Sequence, residues 1–291
     1  MPECPEIYIM SLYLKECIMD KKIKSISVFD KENPKMKKIK TRLIDNNTIN
    51  NIRTKGKLLW FELSNNIYIT CSFGLEGYWA YNEEAPYIKL TITLDDDTKL
   101  YYCDKLNYGT IEILNEENLL DEKLNKLSPD ILQTEMTDSE LKNIIIEYIK
   151  KLKNREKNIV KVLMEQNNIV SGIGNYLVAE ILYCAKINPH RSITDLSSNE
   201  IQHLTHCMRK IVKNSYYHHN NRYTKHYNYF MQSFQQKIND KKYNEFHNDV
   251  KILKNFTLQV YRQKSDRKGN IVIADKIIAG RTTYWCPAVQ I

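Results

Sequence analysis

SGIGNYLVAEILYCAK, residues 171–186, sets two glycines, Gly172 and Gly174, directly before an amphipathic helical run. Glycine supplies the backbone conformations that tight turns need. Asn175 then falls at or near the N-cap of that helix, a position that favours short polar side chains. The preceding run NIVKVLMEQ (158–166) has helical spacing too, so the segment reads as helix, two turns, helix. Bare glycines let another backbone come close. The N–H groups at the helix start, that of Gly174 among them, together with the Asn175 amide, suit one phosphate. The plain alternative is an ordinary helix–helix connection with glycine turns.

Helical periodicity continues on both sides, in SELKNIIIEYIKKLK (139–153) and SSNEIQHLTHCMRKIVKNS (197–215). Helices without intervening strands make residues 139–250 an α-rich domain. Residues 118–138 are polar, contain Pro129, and read as a linker. Upstream, Ile7, Met10, Leu14 and Ile18 recur at helical spacing over 5–19. Short β-like runs follow: KSISVF (24–29), LLWFEL (58–63), IYITCSF (67–73), IKLTITL (88–94) and GTIEIL (109–114). Residues 1–117 therefore read as a leading helix and a β-sandwich or barrel. The chain is α+β with two domains. Near its end, TLQVYRQ (257–263) and IVIADKIIAGRTTYW (271–285) flank a turn at SDRKGN (265–270) and predict a hairpin within 251–291. The stretch 215–247 is aromatic, amide-rich and basic with no clean period, and reads as a long functional loop or a partly disordered one.

With 291 residues and 42% hydrophobic content, the chain has enough material for two cores. No apolar run approaches membrane-spanning length, and MPECPEIYIM lacks the marks of a signal peptide. The seven cysteines are odd in number, scattered, and never spaced Cys-x-x-Cys. That predicts a reduced intracellular protein without a disulfide framework. His203, His206 and Cys207 lie close on one helix, but a solvated face with a buried cysteine accounts for them better than a metal does. A net charge of +8 favours a polyanionic partner.

Pro2 carries the distinctive chemistry. Removal of Met1 exposes a secondary amine, and a terminal amine titrates about 2–3 units below lysine. At neutral pH roughly a tenth of such an amine is unprotonated. It can attack the anomeric carbon of a sugar and form an imine. Glu3 and Glu6 stand beside it as carboxylates able to move protons. Read blandly, Pro2 is a processing signal and the acids favour a helix start.

Three places taken together, MPECPEI, LMEQNNIVSGIGNYLVAEILYCAKINPHR and AGRTTYWCPAVQ, resemble the Fpg/Nei family of DNA glycosylases in sequence, order and spacing. The resemblance implies an N-terminal β-sandwich with a leading helix, a helix–two-turn–helix domain and a C-terminal β-hairpin finger, with damaged DNA held in the cleft between domains. It implies removal of a damaged base and cleavage of the strand. By position it makes Pro2 the Schiff-base nucleophile, Glu3 the proton donor and Glu6 a supporting carboxylate. Lys57 becomes a DNA-contacting lysine on a β-turn, Asn175 a phosphate ligand and Arg281 the fingertip arginine, whose planar guanidinium suits bidentate phosphate contact. Leu75, Asn107 and Tyr108 take the places of residues that fill the gap left by an everted base. Residues 215–247 lie where the family places its base-recognition loop.

The chain also departs from the family. Many members hold the finger with four cysteines on zinc, but residues 257–291 contain only Cys286. One cysteine cannot make a structural zinc site. A zincless finger is expected, packed by Val260, Ile271, Ile273 and Trp285, with no cofactor. Asn107 stands where an arginine is usual, which opens the choice of opposite base. The zincless tail and GNYLVAEIL lean towards oxidised pyrimidines, with 8-oxoguanine or formamidopyrimidine lesions as the alternative. Two other readings stay open: a non-catalytic binder of damaged DNA on the same scaffold, and an RNA-binding protein. The expected partner is damaged DNA, met by a monomer without a membrane, in the nucleus or another DNA-containing compartment.

Overall fold

The computed structural model describes residues 2–29, 39, 44–81, 85–153, 155–218, 246–278 and 280–291. Most of the expected 215–247 loop therefore lies outside the described residues. The chain divides into two compact units. Pro2 and Glu6–Lys126 belong to the first; Glu3–Pro5, Leu127–Asn220 and Lys237–Ile291 contribute to the second.

Helix α1 (Cys4–Ile18) leads the chain. Ile7, Met10, Leu14 and Ile18 are all at most 1% exposed, as their spacing demands. Eight strands follow among the described residues: β1 (Ile23–Val28), β2 (Ile49–Lys55), β3 (Leu58–Leu63), β4 (Ile67–Ser72), β5 (Tyr78–Tyr81), β6 (Ile88–Leu94), β7 (Lys99–Cys103) and β8 (Thr110–Leu114). They form two antiparallel sheets, in the orders β1-β6-β7-β5 and β2-β3-β4-β8. Phe61 of one sheet meets Trp79 of the other edge to face at 5.3 Å, so the aromatic core is shared between the layers. The sheets were legible in outline, but β2, β5 and β7 were not. INNIRTK over β2 is too polar to read as a strand until its partners bury Ile49, Ile52 and Thr54.

Helix α2 (Glu117–Asn125) occupies part of the expected 118–138 linker. Leu120 seats it on Trp60, Tyr68 and Leu114. The second unit then carries α3 (Asp138–Lys151), α4 (Ile159–Met164), α5 (Asn175–Ala185) and α6 (Ser198–Tyr217). Capping boxes at Thr137/Glu140 and Ser197/Glu200 start α3 and α6.

The finger differs from its sequence pattern. TLQVYRQ forms no strand, and the 265–270 turn does not join two strands. The hairpin lies wholly within the second run, as β9 (Ile273–Ile278) and β10 (Arg281–Trp285). Gly280, at φ 75°, supplies the left-handed turn conformation between them. Nor do Ile271 and Ile273 pack the finger, since they are 74% and 38% exposed. Val260 is fully buried as expected, and polar ties add to it. Trp285 Nε1 donates to Asp275 at 2.7 Å, and His190 Nε2 lies 3.0 Å from the same carboxylate. Asp266 accepts from the Lys268 and Asn270 N–H groups, from Asn270 Nδ2 and from the Tyr183 hydroxyl. Gln290 receives the Cys286 N–H and donates to the Ile187 carbonyl.

A second difference concerns the cysteines. Cys184 of α5 and Cys207 of α6 are joined as a disulfide, Cα atoms 5.8 Å apart, where none was expected. It is the one disulfide among the described residues. Among the described residues no cluster of His, Cys, Asp and Glu is placed to hold a metal. No described helix is long and apolar enough to cross a membrane.

Candidate active site

Pro2 is buried at the start of the first unit, and Glu6, 3% exposed, lies in the first turn of α1. Glu3 belongs to the second unit and is 1% exposed. Its carboxylate accepts the backbone N–H groups of Gly174 at 2.6 Å, Tyr176 at 2.9 Å and Leu177 at 3.2 Å. These are the donors that a helix start leaves without intrahelical partners. Glu3 therefore caps α5 from 171 residues away, and Gly174, which has no side chain to cap with, is the N-cap residue. The amides expected to face a phosphate are occupied by a protein carboxylate. That corrects the role read for the Gly174 N–H, and it answers the need of a desolvated carboxylate for donors.

The glycines of this turn are required for space and shape. A Cβ on Gly174 would lie 2.4 Å from Glu3 Cδ. Gly172 has φ 109°, and a Cβ there would stand 2.7 Å from both Cβ and Sγ of Cys4. The Cys4 N–H donates to the Gly172 carbonyl at 3.1 Å. Residues 3–5 are thus laced onto the turn by backbone and side chain together.

Asn175 is the first residue of α5, and its Nδ2 donates to the Thr282 carbonyl at 2.8 Å. Arg281, the residue before Thr282, is exposed at the start of β10. The structure therefore brings Asn175 and the Arg281 strand together. Tyr261 reinforces the junction, its ring 6.1 Å from Tyr176 and 5.2 Å from Tyr284.

Glu180 was missed in the sequence. It lies on α5 at 1% exposure, and its carboxylate accepts the N–H groups of Gln259, Val260 and Tyr261 at 2.8–2.9 Å. A lone acid inside the apolar run NYLVAEILYCA was the available signal. A buried charge in such a run needs partners from another segment. One helix thus receives a carboxylate at its tip and uses another on its flank to hold the segment leading to the finger.

In the first unit, Lys57 occupies the tip of the β2–β3 hairpin, where Lys55 pairs with Leu58. Gly56, at φ 60°, makes that two-residue turn. Leu75 and Tyr108 are 43% and 59% exposed on neighbouring loops. The loops touch through Gly74, where a Cβ would come within 2.6 Å of Tyr108 Cβ. The buried Asp104 carboxylate shapes the second loop by accepting the N–H groups of Leu106 and Gly109. Asn107 takes a positive φ of 59° there, and the exposed apolar side chain before it is Leu106, which was not singled out.

Two four-stranded antiparallel sheets, a glycine-turned helical unit and a hairpin make a two-domain α+β fold. The same fold is seen in Lactococcus lactis Fpg bound to DNA containing Fapy-dG, with a TM-score of 0.75, 24% identity and 99% of each chain covered. It is also seen in that protein's complex with DNA containing an abasic site, with a TM-score of 0.76, 23% identity and 99% of each chain covered. Three family models match in order: the formamidopyrimidine-DNA glycosylase N-terminal domain over residues 1–111, its H2TH domain over 126–224 and its C-terminal domain over 248–291. Formamidopyrimidine-DNA glycosylase from Mycoplasma mobile is 31% identical over 224 residues, covering 74% of this chain and 77% of its own. The Ureaplasma parvum protein of the same name is 32% identical over 224 residues, with 73% and 77% covered. The chain belongs to the formamidopyrimidine-DNA glycosylase family, whose members are base-excision-repair glycosylases with abasic-site lyase activity.

Proposed function

We propose that this chain removes oxidised bases from DNA and cleaves the strand through a Schiff base on the amine of Pro2, formed once Met1 is removed. The observation that carries the reading is the seat of Glu3. Three amides of the α5 start fix the residue directly bonded to Pro2. A nucleophile gains most when its neighbours are held in one geometry.

The Pro2 nitrogen attacks C1′ of the damaged nucleotide, and the C1′–base bond breaks with its electron pair leaving on the base. Glu3 moves a proton to the deoxyribose oxygen, and the ring opens to an iminium ion. The cationic iminium acidifies the 2′ hydrogen, whose loss expels the 3′ phosphate. Glu6 supports the amine, and Lys57 reaches the DNA from its hairpin tip. Asn175 and Arg281 contact phosphates from a shared junction. Leu75 and Tyr108, with Asn107 between strands of the same loop system, fill the gap left by the everted base.

Oxidised pyrimidines are the favoured substrates, on the zincless finger. Ring-opened or oxidised purines are the second reading, favoured because the relatives reported above are named for formamidopyrimidine. The protein acts on damaged duplex or single-stranded DNA as a monomer, needs no metal or other cofactor, and works in a DNA-containing compartment. Borohydride should trap a covalent adduct with abasic-site DNA, and Pro2→Gly should abolish it. Equal trapping by that variant, or full activity with Met1 retained, overturns the assignment. A panel of lesion oligonucleotides separates the two substrate readings. Tight binding of abasic DNA without nicking returns the chain to the binder reading.

A further inference from the structure

We propose that Cys184 and Cys207 form a reversible thiol–disulfide site, with Cys184 the sulfur attacked by a small, carboxylate-bearing thiol. The two sulfurs join α5 to α6, and they differ sharply in access. Cys207 is fully buried, whereas Cys184 is half-buried and lines a pocket of about 190 Å³. Leu253 and Phe256 give the pocket apolar walls, and Lys210 and Arg267 bring two cations to it. The one acid in the lining, Glu180, has its oxygens engaged by the amides of residues 259–261. Two cations against one acid leave the lining residues with a net positive formal charge, which suits an anionic thiol.

Cys184–Cys207 is the one disulfide among the described residues, so this pair is not part of a stabilising framework. An isolated disulfide with one accessible sulfur is of the labile kind. An incoming thiolate attacks Cys184 Sγ, and the Cys184–Cys207 bond breaks. The electron pair leaves on Cys207 Sγ, which takes up a proton. The exposed His203 has its Nε2 3.8 Å from that sulfur and offers a route for the proton. A second thiolate then attacks the small-molecule sulfur of the mixed disulfide. It releases the Cys184 thiolate and the oxidised small molecule. Two electrons pass to the protein, and two thiols become one disulfide. The consequence lies in α5, since its first turn seats Glu3, its Asn175 ties down the finger, and its Glu180 holds residues 259–261.

The test uses the full-length protein with glutathione as the probe. A non-reduced digest of the air-oxidised protein should contain the Cys184–Cys207 peptide pair, and a glutathione titration should remove it. Cys207→Ser treated with oxidised glutathione should gain one glutathione at Cys184, while Cys184→Ser should remain unlabelled at Cys207. Lys210→Glu with Arg267→Glu should slow reduction by glutathione about tenfold or more, with little change for uncharged 2-mercaptoethanol. The proposal is overturned if the linked peptide is absent, if Cys207 labels as readily as Cys184, or if charge reversal slows both thiols alike.

Discussion

Glu3 Oε2 accepts the Gly174 N–H at 2.6 Å, so the third residue of the chain caps a helix that begins at residue 175. Gly174 has an ordinary extended backbone, with φ −131°, so glycine is needed there for room and not for conformation. Gly174→Ala sets a methyl 2.4 Å from the Glu3 carboxyl carbon and must displace it. We expect a loss of stability of about 1–3 kcal/mol, typical of overpacking. Base excision should fall further than stability accounts for. Denaturant melts together with single-turnover excision would check this, and wild-type excision by a folded Gly174→Ala protein would remove Glu3 from the mechanism.

Glu180→Ala strips three N–H groups, two of them buried, of their acceptor. Each buried donor left unmade costs about 1–3 kcal/mol. The variant should unfold several degrees earlier and bind abasic-site DNA more weakly. Glu180→Gln, which keeps one acceptor oxygen, should fall between. Hydrogen exchange at residues 259–261 locates the effect. Unchanged protection there in Glu180→Ala would show that the carboxylate does not hold that segment.

Asp266 should make the finger sensitive to acid. Burial works to raise its carboxyl, but the donors from Asn270, Tyr183 and Lys268 outweigh it and hold the group down at about 2. A carboxyl lowered by folding stabilises fully above its ordinary value of 3.8, and the contribution is lost as the pH falls towards 2. Glu200, lowered to about 2 chiefly by Arg191, titrates in the same window, so Asp266→Asn is the needed comparison. That variant should lose stability near neutral pH and show a shallower further loss between pH 4 and 2. EDTA should leave the melting temperature of the wild-type protein unchanged, and a fall would mean that a metal holds the finger.

The turn, the helices around it and five of the eight strands were legible because their signals are local. Glycine before a periodic apolar run is one such signal, and alternation in LLWFEL or IKLTITL is another. The seat of Glu3 was not legible, because its donors come from another segment of the chain. The same holds for Glu180 and for the Cys184–Cys207 pair, whose partners are set by tertiary packing. The finger misled for a different reason. Ile271 and Ile273 have strand propensity but stay exposed, and hydrogen-bonded acids and amides add to the burial of Val260 in holding the region.

Arg281 and Asn175 meet at one junction but should answer salt differently. Arg281 is charged and exposed at the end of the hairpin turn, while Asn175 is neutral and ties α5 to the Thr282 carbonyl. Each neutralised phosphate steepens the fall of log K with log salt by about 0.9. Arg281→Ala should therefore weaken binding and flatten the slope by about one. Asn175→Ala should weaken binding at all salt concentrations with the slope nearly unaltered. It should also raise hydrogen exchange along Arg281–Trp285, because the strand loses its tie to the helix. Binding isotherms on one abasic duplex across a salt series read both slopes. An unaltered slope for Arg281→Ala takes that guanidinium off the phosphates, and a flattened slope for Asn175→Ala means that its tie, not its own amide, is what sets Arg281 on the DNA.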